Sequence, residues 1–244
     1  MMSLEKIKAL QVEFEDKSPE EILEWALGEF GVSNIALASS LSIEDQVIAD
    51  MLFKSDKNAQ VFTLDTGRLP QSTYDVIELS RRKYGISIEM LFPDSDSVQN
   101  MVKENGPNLF FENVEKRKLC CSIRKVEPLK KKLSSLKAWI TGLRRDQSVT
   151  RTDVKVIEWD ETFNIVKINP LADWEEVDVW DYIRANRVPY NKLYDCGYAS
   201  LGCAPCSRPI RKGDDVRSGR WWWESAQKKE CGLHLKDGKL LRKD

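Results

Sequence analysis

Short apolar segments alternate with helix-length segments over the first 143 residues, and this alternation restricts the fold more than any other feature. Strands separated by helices of this length form parallel sheets with helices on both faces. The carboxyl ends of such strands are where these sheets bind ligands. We therefore predict an α/β fold with a doubly wound, mostly parallel sheet, built from strands at 34–40, 59–65, 86–94 and 137–143 and helices at 43–54, 71–85 and near 122–135.

The remaining segments complete this architecture. Ser18-Pro19-Glu20-Glu21 forms a capping box with proline at the first helical position, which predicts a helix start. Residues 155–171 are typical of a hairpin, and 174–186 of a further helix. From residue 211 onward, charged residues, glycine and a tryptophan triplet replace the periodic pattern. We interpret 1–210 as one α/β domain and 211–244 as a mobile C-terminal tail.

Composition excludes several classes of partner. The net charge of −1 gives no overall attraction to nucleic acid or to an anionic membrane. The sequence contains no run of about 20 apolar residues, and its first 21 residues lack the apolar core of a signal peptide. We expect a cytoplasmic protein that binds neither nucleic acid nor membrane. Cysteines in that compartment are more often metal ligands or redox groups than bridges.

Four of the six cysteines form two close pairs that are far apart in the sequence. Cys120 and Cys121 are neighbours, and Cys203 and Cys206 form a C-x-x-C. Four thiolates suit zinc or a [4Fe–4S] cluster. The adjacent pair favours the larger cluster only weakly, and a redox pair at Cys203 and Cys206 is a further alternative. Cys196 fits neither pair and is interpreted as a free thiol.

The sixth cysteine, Cys231, lies in the predicted tail beside Lys228, Lys229 and His234, the only histidine. Nearby positive charge favours the thiolate, the reactive form of cysteine. An exposed thiol outside the metal set is a candidate nucleophile. By itself the signal is weak, because a single cysteine near a terminus is usually incidental.

Loops at the predicted strand ends could bind an anion. The serine-rich turn at 39–46 opens a helix and can offer backbone N–H groups and hydroxyls. Each such loop also has an ordinary explanation as a helix cap or a solvated charged surface. Basic residues nevertheless collect at strand ends, beside the cysteines and in the tail, at Arg124, Lys125, Arg144, Arg145, Arg217 and Arg220. Loops meeting at one sheet edge would make a nucleotide and oxyanion pocket.

Taken together, these motifs resemble a known family. The segments SIEDQ, LDTGRLPQSTY, CC with CAPC, ITGLRRDQS, KINPLADW and ECGLH are similar to those of assimilatory adenylyl-sulfate (adenosine 5′-phosphosulfate) reductases, within the phosphosulfate reductase family. The resemblance runs from about residue 30 to the C-terminus. It implies an adenine-nucleotide α-hydrolase-like fold, in agreement with the alternation of strands and helices.

The resemblance also implies roles for individual residues. It implies a [4Fe–4S] cluster on Cys120, Cys121, Cys203 and Cys206, and Cys231 as the nucleophile. It implies contacts to the nucleotide from loops 39–45 and 64–67 and from the arginine pair, and contacts to the sulfate and phosphate from further basic residues. The implied substrate-binding residues are Ser39, Ser40, Ser42, Asp45, Leu64, Asp65, Thr66, Gly67, Lys125, Arg144, Arg145, Arg217, Arg220 and His234.

The implied reaction reduces adenosine 5′-phosphosulfate to sulfite and AMP in sulfate assimilation and cysteine biosynthesis. Thioredoxin or glutaredoxin would supply the electrons, and an S-sulfocysteine would be the intermediate. We also expect a homo-oligomer. The alternatives are reduction of the 3′-phosphorylated donor or of both donors, a PP-loop ATP pyrophosphatase, and a zinc-binding interaction module. The pyrophosphatase is disfavoured because SSLSIED replaces the expected S-G-G-x-D-S loop.

Overall fold

A computed structural model describes residues 2–147 and 151–225 of the chain. The strands in these ranges are β1 (Ile35–Ala38), β2 (Gln60–Leu64), β3 (Glu89–Leu91), β4 (Ala138–Ile140), β5 (Ile157–Asp160) and β6 (Ile165–Ile168). The α-helices are α1 (Leu4–Glu13), α2 (Pro19–Phe30), α3 (Ile43–Ser55), α4 (Gln71–Tyr84), α5 (Ser95–Asn105), α6 (Val114–Cys121), α7 (Glu127–Leu133) and α8 (Glu176–Asn186).

The strands form one mostly parallel sheet in the order β3-β2-β1-β4-β6-β5. β1 pairs in parallel with both β2 and β4, and only β5 runs antiparallel, against β6. The predicted parallel sheet and the predicted hairpin are both confirmed. The chain leaves β1 toward β2 and later returns to the other side of β1 as β4. The loops after β1 and β4 therefore diverge at a topological switch point, where such sheets bind ligands.

Helices cover both faces of the sheet, as predicted. Ile35 and Leu37 of β1 point into the larger core, which α2 and α3 also line. Ala36 of β1 and Trp139 of β4 point the other way and pack with Leu129 of α7. Successive residues of a strand face opposite sides, so a sheet covered on both faces has uniformly apolar strands.

Helix α3 is fixed at a buried carboxylate. Residues 43–53 are buried without interruption, including Asp50, whose exposure is 0%. Asp50 pairs with Lys54 at 2.7 Å and with Lys83 of α4 at 3.1 Å. It also accepts hydrogen bonds from the hydroxyls of Tyr84 in α4 and Tyr182 in α8. Three donors from α4 and α8 thus hold α3, and with it the loop that precedes α3, in place, and Lys54 of α3 itself completes the shell.

A π-helical turn at 122–126 joins α6 to α7 directly after the cysteine doublet. The sequence predicted a helix near 122–135, and the structure extends it back to Val114 with this turn inside it. Pro128 has no N–H to donate to the carbonyl four residues earlier, and the amide of Glu127 donates to the carbonyl of Ser122 instead. π-turns shift the faces of the flanking helices, and they occur often at functional sites.

The capping box predicted at Ser18 is present, since Ser18 and Glu21 each accept a hydrogen bond from the other's backbone N–H. Within 2–147 and 151–225, no helix has the length and apolar character needed to cross a bilayer.

Replacing Asp50 with asparagine should lower the free energy of unfolding at pH 7 by about 1–3 kcal/mol, because charge-assisted hydrogen bonds are lost. Burial raises the pKa of Asp50, but hydrogen bonds from Lys54, Tyr84 and Lys83 outweigh it, so the pKa lies below its ordinary value of 3.8. The stabilisation that ionised Asp50 provides is therefore complete when the pH is above this ordinary pKa, and it is lost as the pH falls below it. Urea unfolding between pH 5 and 8 should show a constant difference from wild type. Asp181→Asn, a change at an exposed ion pair, is the matched control.

Candidate active site

A cavity of about 220 Å³ opens at the carboxyl ends of the sheet strands. Its walls come from the loops after β1 and β4, from the end of β2, and from later segments around residues 194–202 and 216–221. Nine residues predicted from the sequence to bind substrate line it, namely Ser39, Ser40, Ser42, Asp45, Leu64, Lys125, Arg144, Arg217 and Arg220. The structure thus brings together loops that are up to about 180 residues apart in sequence.

The loop between β1 and α3 is closed by its own aspartate. Oδ2 of Asp45 accepts hydrogen bonds from the backbone N–H and the hydroxyl of Ser40, both at 2.6 Å, and from the hydroxyl of Ser42 at 3.2 Å. Leu41 adopts a left-handed conformation with φ of 62° to make the turn. Asp45 therefore shapes the serine loop and uses some of the donors that the sequence assigned to an anion.

Burial makes the carboxyl of Asp45 unusually weak as an acid. Desolvation raises its pKa from 3.8 to about 6, and the hydrogen bonds from Ser40 and Ser42 offset this only in part. The adjacent Glu44 adds a repulsive charge. The loop consequently carries a carboxyl that changes its charge close to neutral pH.

Gly142 allows the loops after β1 and β4 to approach each other. A Cβ at this position would lie 2.4 Å from Oδ1 of Asp45 and 2.9 Å from Cβ of Glu44. Any side chain would push the loops apart. Sequence reasoning missed this residue, although a glycine at the end of a strand is a known sign of close backbone approach.

Arg144 and Arg145 have different environments. Arg144 is 3% exposed, and its Nε donates to Oε1 of Glu44 at 3.1 Å. Gln147 donates to the same oxygen at 2.9 Å. Arg145 instead donates to the carbonyl of Val154, and it pairs with Glu15 and Asp173. Only Arg144 of the two lines the cavity.

Arg220 connects the cavity to the C-x-x-C loop. Its Nη1 donates to the carbonyl of Leu201 at 2.5 Å and its Nε to the carbonyl of Cys206 at 3.3 Å. The guanidinium lies directly over Gly202, where a Cβ would come within 2.2 Å of Nη2. Arg220 therefore both faces the cavity and holds the loop that carries Cys203 and Cys206.

The segment after β2 turns toward the cysteines rather than the cavity. Asp65 accepts hydrogen bonds from the hydroxyl of Tyr74 and the amide of Gly67. The hydroxyl of Thr66 lies 3.1 Å from Sγ of Cys203, and its carbonyl accepts a hydrogen bond from Arg124 at 2.6 Å. Of the four residues predicted in this segment, Leu64 lines the cavity, and Asp65, Thr66 and Gly67 do not.

The two cysteine pairs meet in a second, smaller cavity. Cys120, Cys121, Cys203 and Cys206 all line it, whereas Cys196 is exposed elsewhere. Lys125, Arg220 and Trp221 line both cavities and form the wall between them. Across 2–147 and 151–225, no three Cys, His, Asp or Glu side chains surround a single metal-ion position.

The thiols in this cavity differ in acidity. Burial raises the pKa of Cys206 to about 11, helped by the neighbouring Cys203, and burial also raises the pKa of Cys120. Burial acts on Cys203 in the same direction, but Lys125, the Thr66 hydroxyl and nearby arginines outweigh it and lower its pKa. The cationic surroundings thus favour a thiolate at Cys203.

A buried ion pair attaches the segment around residue 221 to α6. Arg117 is 0% exposed and donates to both carboxylate oxygens of Glu224, at 2.9 and 2.8 Å. Its guanidinium lies 4.6 Å from the ring of Trp221, and that of Arg220 lies 4.8 Å from the same ring. The predicted tail therefore begins with residues that build the cysteine cavity. Nothing in the sequence pattern marks this pair, whose members are 107 residues apart.

Arg124 and Trp221 line the second cavity, and each has a buried donor, Nε and Nε1 respectively. Neither donor has a hydrogen-bond partner in the described part of the chain. They remain available to a bound group. Cys231 and His234 lie outside the described residues.

Comparison with known proteins gives a consistent result. The family model described as "Phosphoadenosine phosphosulfate reductase domain" matches residues 34–209. An adenosine 5′-phosphosulfate reductase of Allochromatium vinosum is 48% identical over 206 residues, covering 84% of this chain and 80% of the relative. One from Pseudomonas aeruginosa is 45% identical over 243 residues, covering 97% and 89%. The crystal structure of the phosphoadenylyl-sulfate reductase of Candida auris, a phosphate complex, superposes with a TM-score of 0.73 at 31% identity, covering 86% and 98%.

Asp45→Asn should make the stability of the protein less sensitive to pH. The pKa of Asp45 is raised on folding, so ionisation of this carboxyl destabilises the native state as the pH rises from about 4 through about 6. The free energy of unfolding of Asp45→Asn, relative to that of wild type, should rise by up to about 3 kcal/mol across this window and remain constant at higher pH. Urea unfolding at pH 4.5, 5.5, 7 and 8 measures this change. Asp50→Asn should show no such trend above pH 5, and a flat difference for Asp45→Asn would contradict the assignment.

Proposed function

The chain belongs to the phosphoadenosine phosphosulfate reductase family, and on that basis we propose that it reduces adenosine 5′-phosphosulfate to sulfite and AMP. The single observation that carries the proposal is the wall of Lys125, Arg220 and Trp221 between the strand-end cavity and the four-cysteine cavity. A nucleotide and a thiol-bound group could thereby influence each other through shared cations. Relatives that are 48% and 45% identical to this chain over the aligned residues carry the name of this reductase.

The strand-end cavity suits a nucleotide that carries an anionic mixed anhydride. The serine loop at the start of α3 offers polar groups at a helix N-terminus. Lys125, Arg217 and Arg220 add basic side chains to the lining. In the reaction these cations would stabilise charge developing on the leaving phosphate and on the sulfonyl oxygens.

We assign a [4Fe–4S] cluster to Cys120, Cys121, Cys203 and Cys206. Four thiols line one space, and four adjacent thiolates would repel one another unless a positively charged group lay between them. The unpartnered donors of Arg124 and Trp221 could bond to sulfur there. When bound, the cluster would order the two cysteine loops and set the electrostatic field at Lys125, with no redox change required.

Cys231 is the proposed nucleophile. It follows Trp221 by ten residues, so an extended chain of roughly 35 Å at most joins it to the wall of the cavity. Its thiolate would attack the sulfur of the substrate, forming an S–S bond while the S–O bond to AMP breaks. The product is an S-sulfocysteine, and AMP leaves with the electron pair of the broken bond.

A thioredoxin-class dithiol, thioredoxin or glutaredoxin, would then release the product. Its thiolate attacks Sγ of Cys231, and sulfite departs with the bonding electron pair. The second thiol of the reductant resolves the mixed disulfide and regenerates the Cys231 thiolate. The dithiol thus supplies the two electrons that convert sulfate-level sulfur to sulfite, and becomes a disulfide.

Reduction of the 3′-phosphorylated donor is the second candidate, since the Candida auris structure carries that name. The paired cysteines favour the unphosphorylated donor, because the resemblance associates them with that branch. The cytoplasmic location and the homo-oligomeric state stay predictions. A zinc-binding interaction module would give no role to Cys231 or to the arginines around Trp221.

Protein purified without oxygen should contain about four iron and four acid-labile sulfide per chain, together with a visible absorption band. Cys121→Ser and Cys203→Ser should each lose most of the iron, because each removes a ligand. Cys196→Ser is the matched control and should keep it, since Cys196 lies outside the cavity. Metal analysis that finds stoichiometric zinc and no sulfide would contradict the cluster.

Incubation with adenosine 5′-phosphosulfate, without reductant, should add one sulfo group to Cys231. Peptide mass spectrometry locates the adduct, and added thioredoxin should release it as sulfite. Cys231→Ser should keep its iron and bind the nucleotide but lose turnover on the order of 10³-fold or more, because a serine hydroxyl is scarcely ionised. Running both phosphosulfate donors in parallel determines the substrate.

An adduct on a different cysteine, or turnover by Cys231→Ser, would refute the two-step mechanism while leaving the family assignment intact. If neither donor yields sulfite while the iron content is normal, the proposed activity itself is refuted.

A further inference from the structure

An exposed group of aromatic rings lies beside the cysteine cavity and has no role in the chemistry described so far. Phe111, Trp222 and Trp223 form this group, which we call the aromatic patch. Phe111 is 45% exposed, and the two tryptophans are partly exposed. The ring centroids of Phe111 and Trp223 are 4.5 Å apart, and those of Trp222 and Trp223 are 4.8 Å apart. Large exposed aromatic clusters mark interaction surfaces more often than ordinary protein surface does.

The patch is held from behind by the core around the cysteines. Trp223 packs against the buried cluster that contains Phe110, Cys121, Cys206 and Trp221. The ion pair between Arg117 and Glu224 fixes the backbone directly after Trp223. The rings are therefore preorganised, and a partner that binds them loses little free energy to ordering them.

A cation borders the patch. Cζ of Arg208 lies 5.2 Å from the ring of Trp222. Tryptophan, phenylalanine and arginine are the residues enriched at the centre of protein interfaces and among the side chains that dominate binding energy. The composition thus fits a protein partner better than a small metabolite, which would need a concave pocket.

The position of the patch along the chain identifies the partner. Ser225 is exposed, and Cys231 follows it by six residues, a distance of roughly 20 Å at full extension. A protein that attacks Cys231 must place its reactive thiol within about this distance of Ser225. A standard interface of about 800 Å² per partner is roughly 30 Å across. Trp222 and Trp223 precede Ser225 by only three and two residues, so such an interface can include them.

We infer that the aromatic patch is the docking surface for the dithiol protein reductant, a member of the thioredoxin class. This inference rests on the proposed function, because it needs a covalent adduct on Cys231 that a second protein must reach. The patch would position the reductant while the segment after Ser225 presents the adduct to it. The nucleotide cavity would remain separate from this surface, behind Trp221.

The test separates docking from chemistry. Phe111→Ser, Trp222→Ala and the double variant are compared with wild type in three assays on cluster-loaded protein. These assays are formation of the sulfo adduct without reductant, release of sulfite by dithiothreitol, and release of sulfite across a range of thioredoxin concentrations. Iron content and the urea unfolding midpoint verify that each variant is folded.

The double variant should need at least about tenfold more thioredoxin for its half-maximal rate, as expected when an aromatic anchor is truncated. Adduct formation and release by dithiothreitol should not change. Trp222→Phe should retain most of the wild-type response, because it keeps a ring at the same place. Phe92→Ala is the matched control, since Phe92 is 63% exposed and lies outside the patch.

Three results would overturn the inference. An unchanged thioredoxin dependence in the double variant would show that the reductant docks elsewhere. A parallel loss of adduct formation would show that the patch is covered by this chain's own residues after 225. Dissociation of a wild-type oligomer by the same changes, seen by sedimentation, would assign the patch to a second copy of the chain.

Direct titration of reduced thioredoxin, without substrate, keeps the two proposals separable. If wild type forms no adduct, the proposed function fails, and this titration still decides whether the patch binds the reductant. Binding that Phe111→Ser and Trp222→Ala weaken would support the docking surface. Equal binding by wild type and the double variant would refute it.

Discussion

Parallel pairing of β1 with β2 on one side and β4 on the other places the functional loops at one edge of the sheet. The serine loop, the segment 64–67 and the loop with Arg144 all follow strands that end at this edge. Lys125, which follows the cysteine doublet, and residues from the segment 194–221 complete the lining. Without this pairing the cavity would lose three of its walls, because no two of these loops are near each other in sequence.

Buried charge determines how the later segments attach. A buried guanidinium is costly unless a carboxylate pairs with it and its donors are satisfied. Arg117 meets this requirement through Glu224, and Arg144 does so through Glu44. The first pair ties residues 217–225 to α6 beside the cysteines. Removing one partner of such a pair typically costs about 3–5 kcal/mol, so the cysteine cavity depends on a residue that is only seven positions before Cys231.

The strand-end cavity near the serine loop is already rich in satisfied polar groups. Asp45 binds the donors of Ser40 and Ser42, and Arg144 is balanced by Glu44. Lys125, Arg217 and Arg220 also line this cavity. Lys125 and Arg220 line the cysteine cavity as well. These two cations therefore connect the strand-end loops to the cysteine pairs.

The sequence by itself determined the alternation of strands with helices α2, α3, α4 and α8, the capping box at Ser18 and the hairpin, because each follows from local periodicity or local hydrogen bonding. Helices α1 and α5 were not predicted. The motifs also identified nine residues of the cavity lining, among them those of the serine loop, Lys125 and Arg220. Only the tertiary structure separated Arg144 from Arg145, turned Asp45 inward onto its own loop, and directed Thr66 toward Cys203. It alone revealed Gly142 beneath Asp45 and the pair of Arg117 with Glu224. The reason is that side-chain direction and the pairing of buried charges depend on the folded surroundings. The partners of Arg117 and Thr66 lie 107 and 137 residues away, and the inward turn of Asp45 onto Ser40 follows from the shape of the folded loop and not from a periodic pattern.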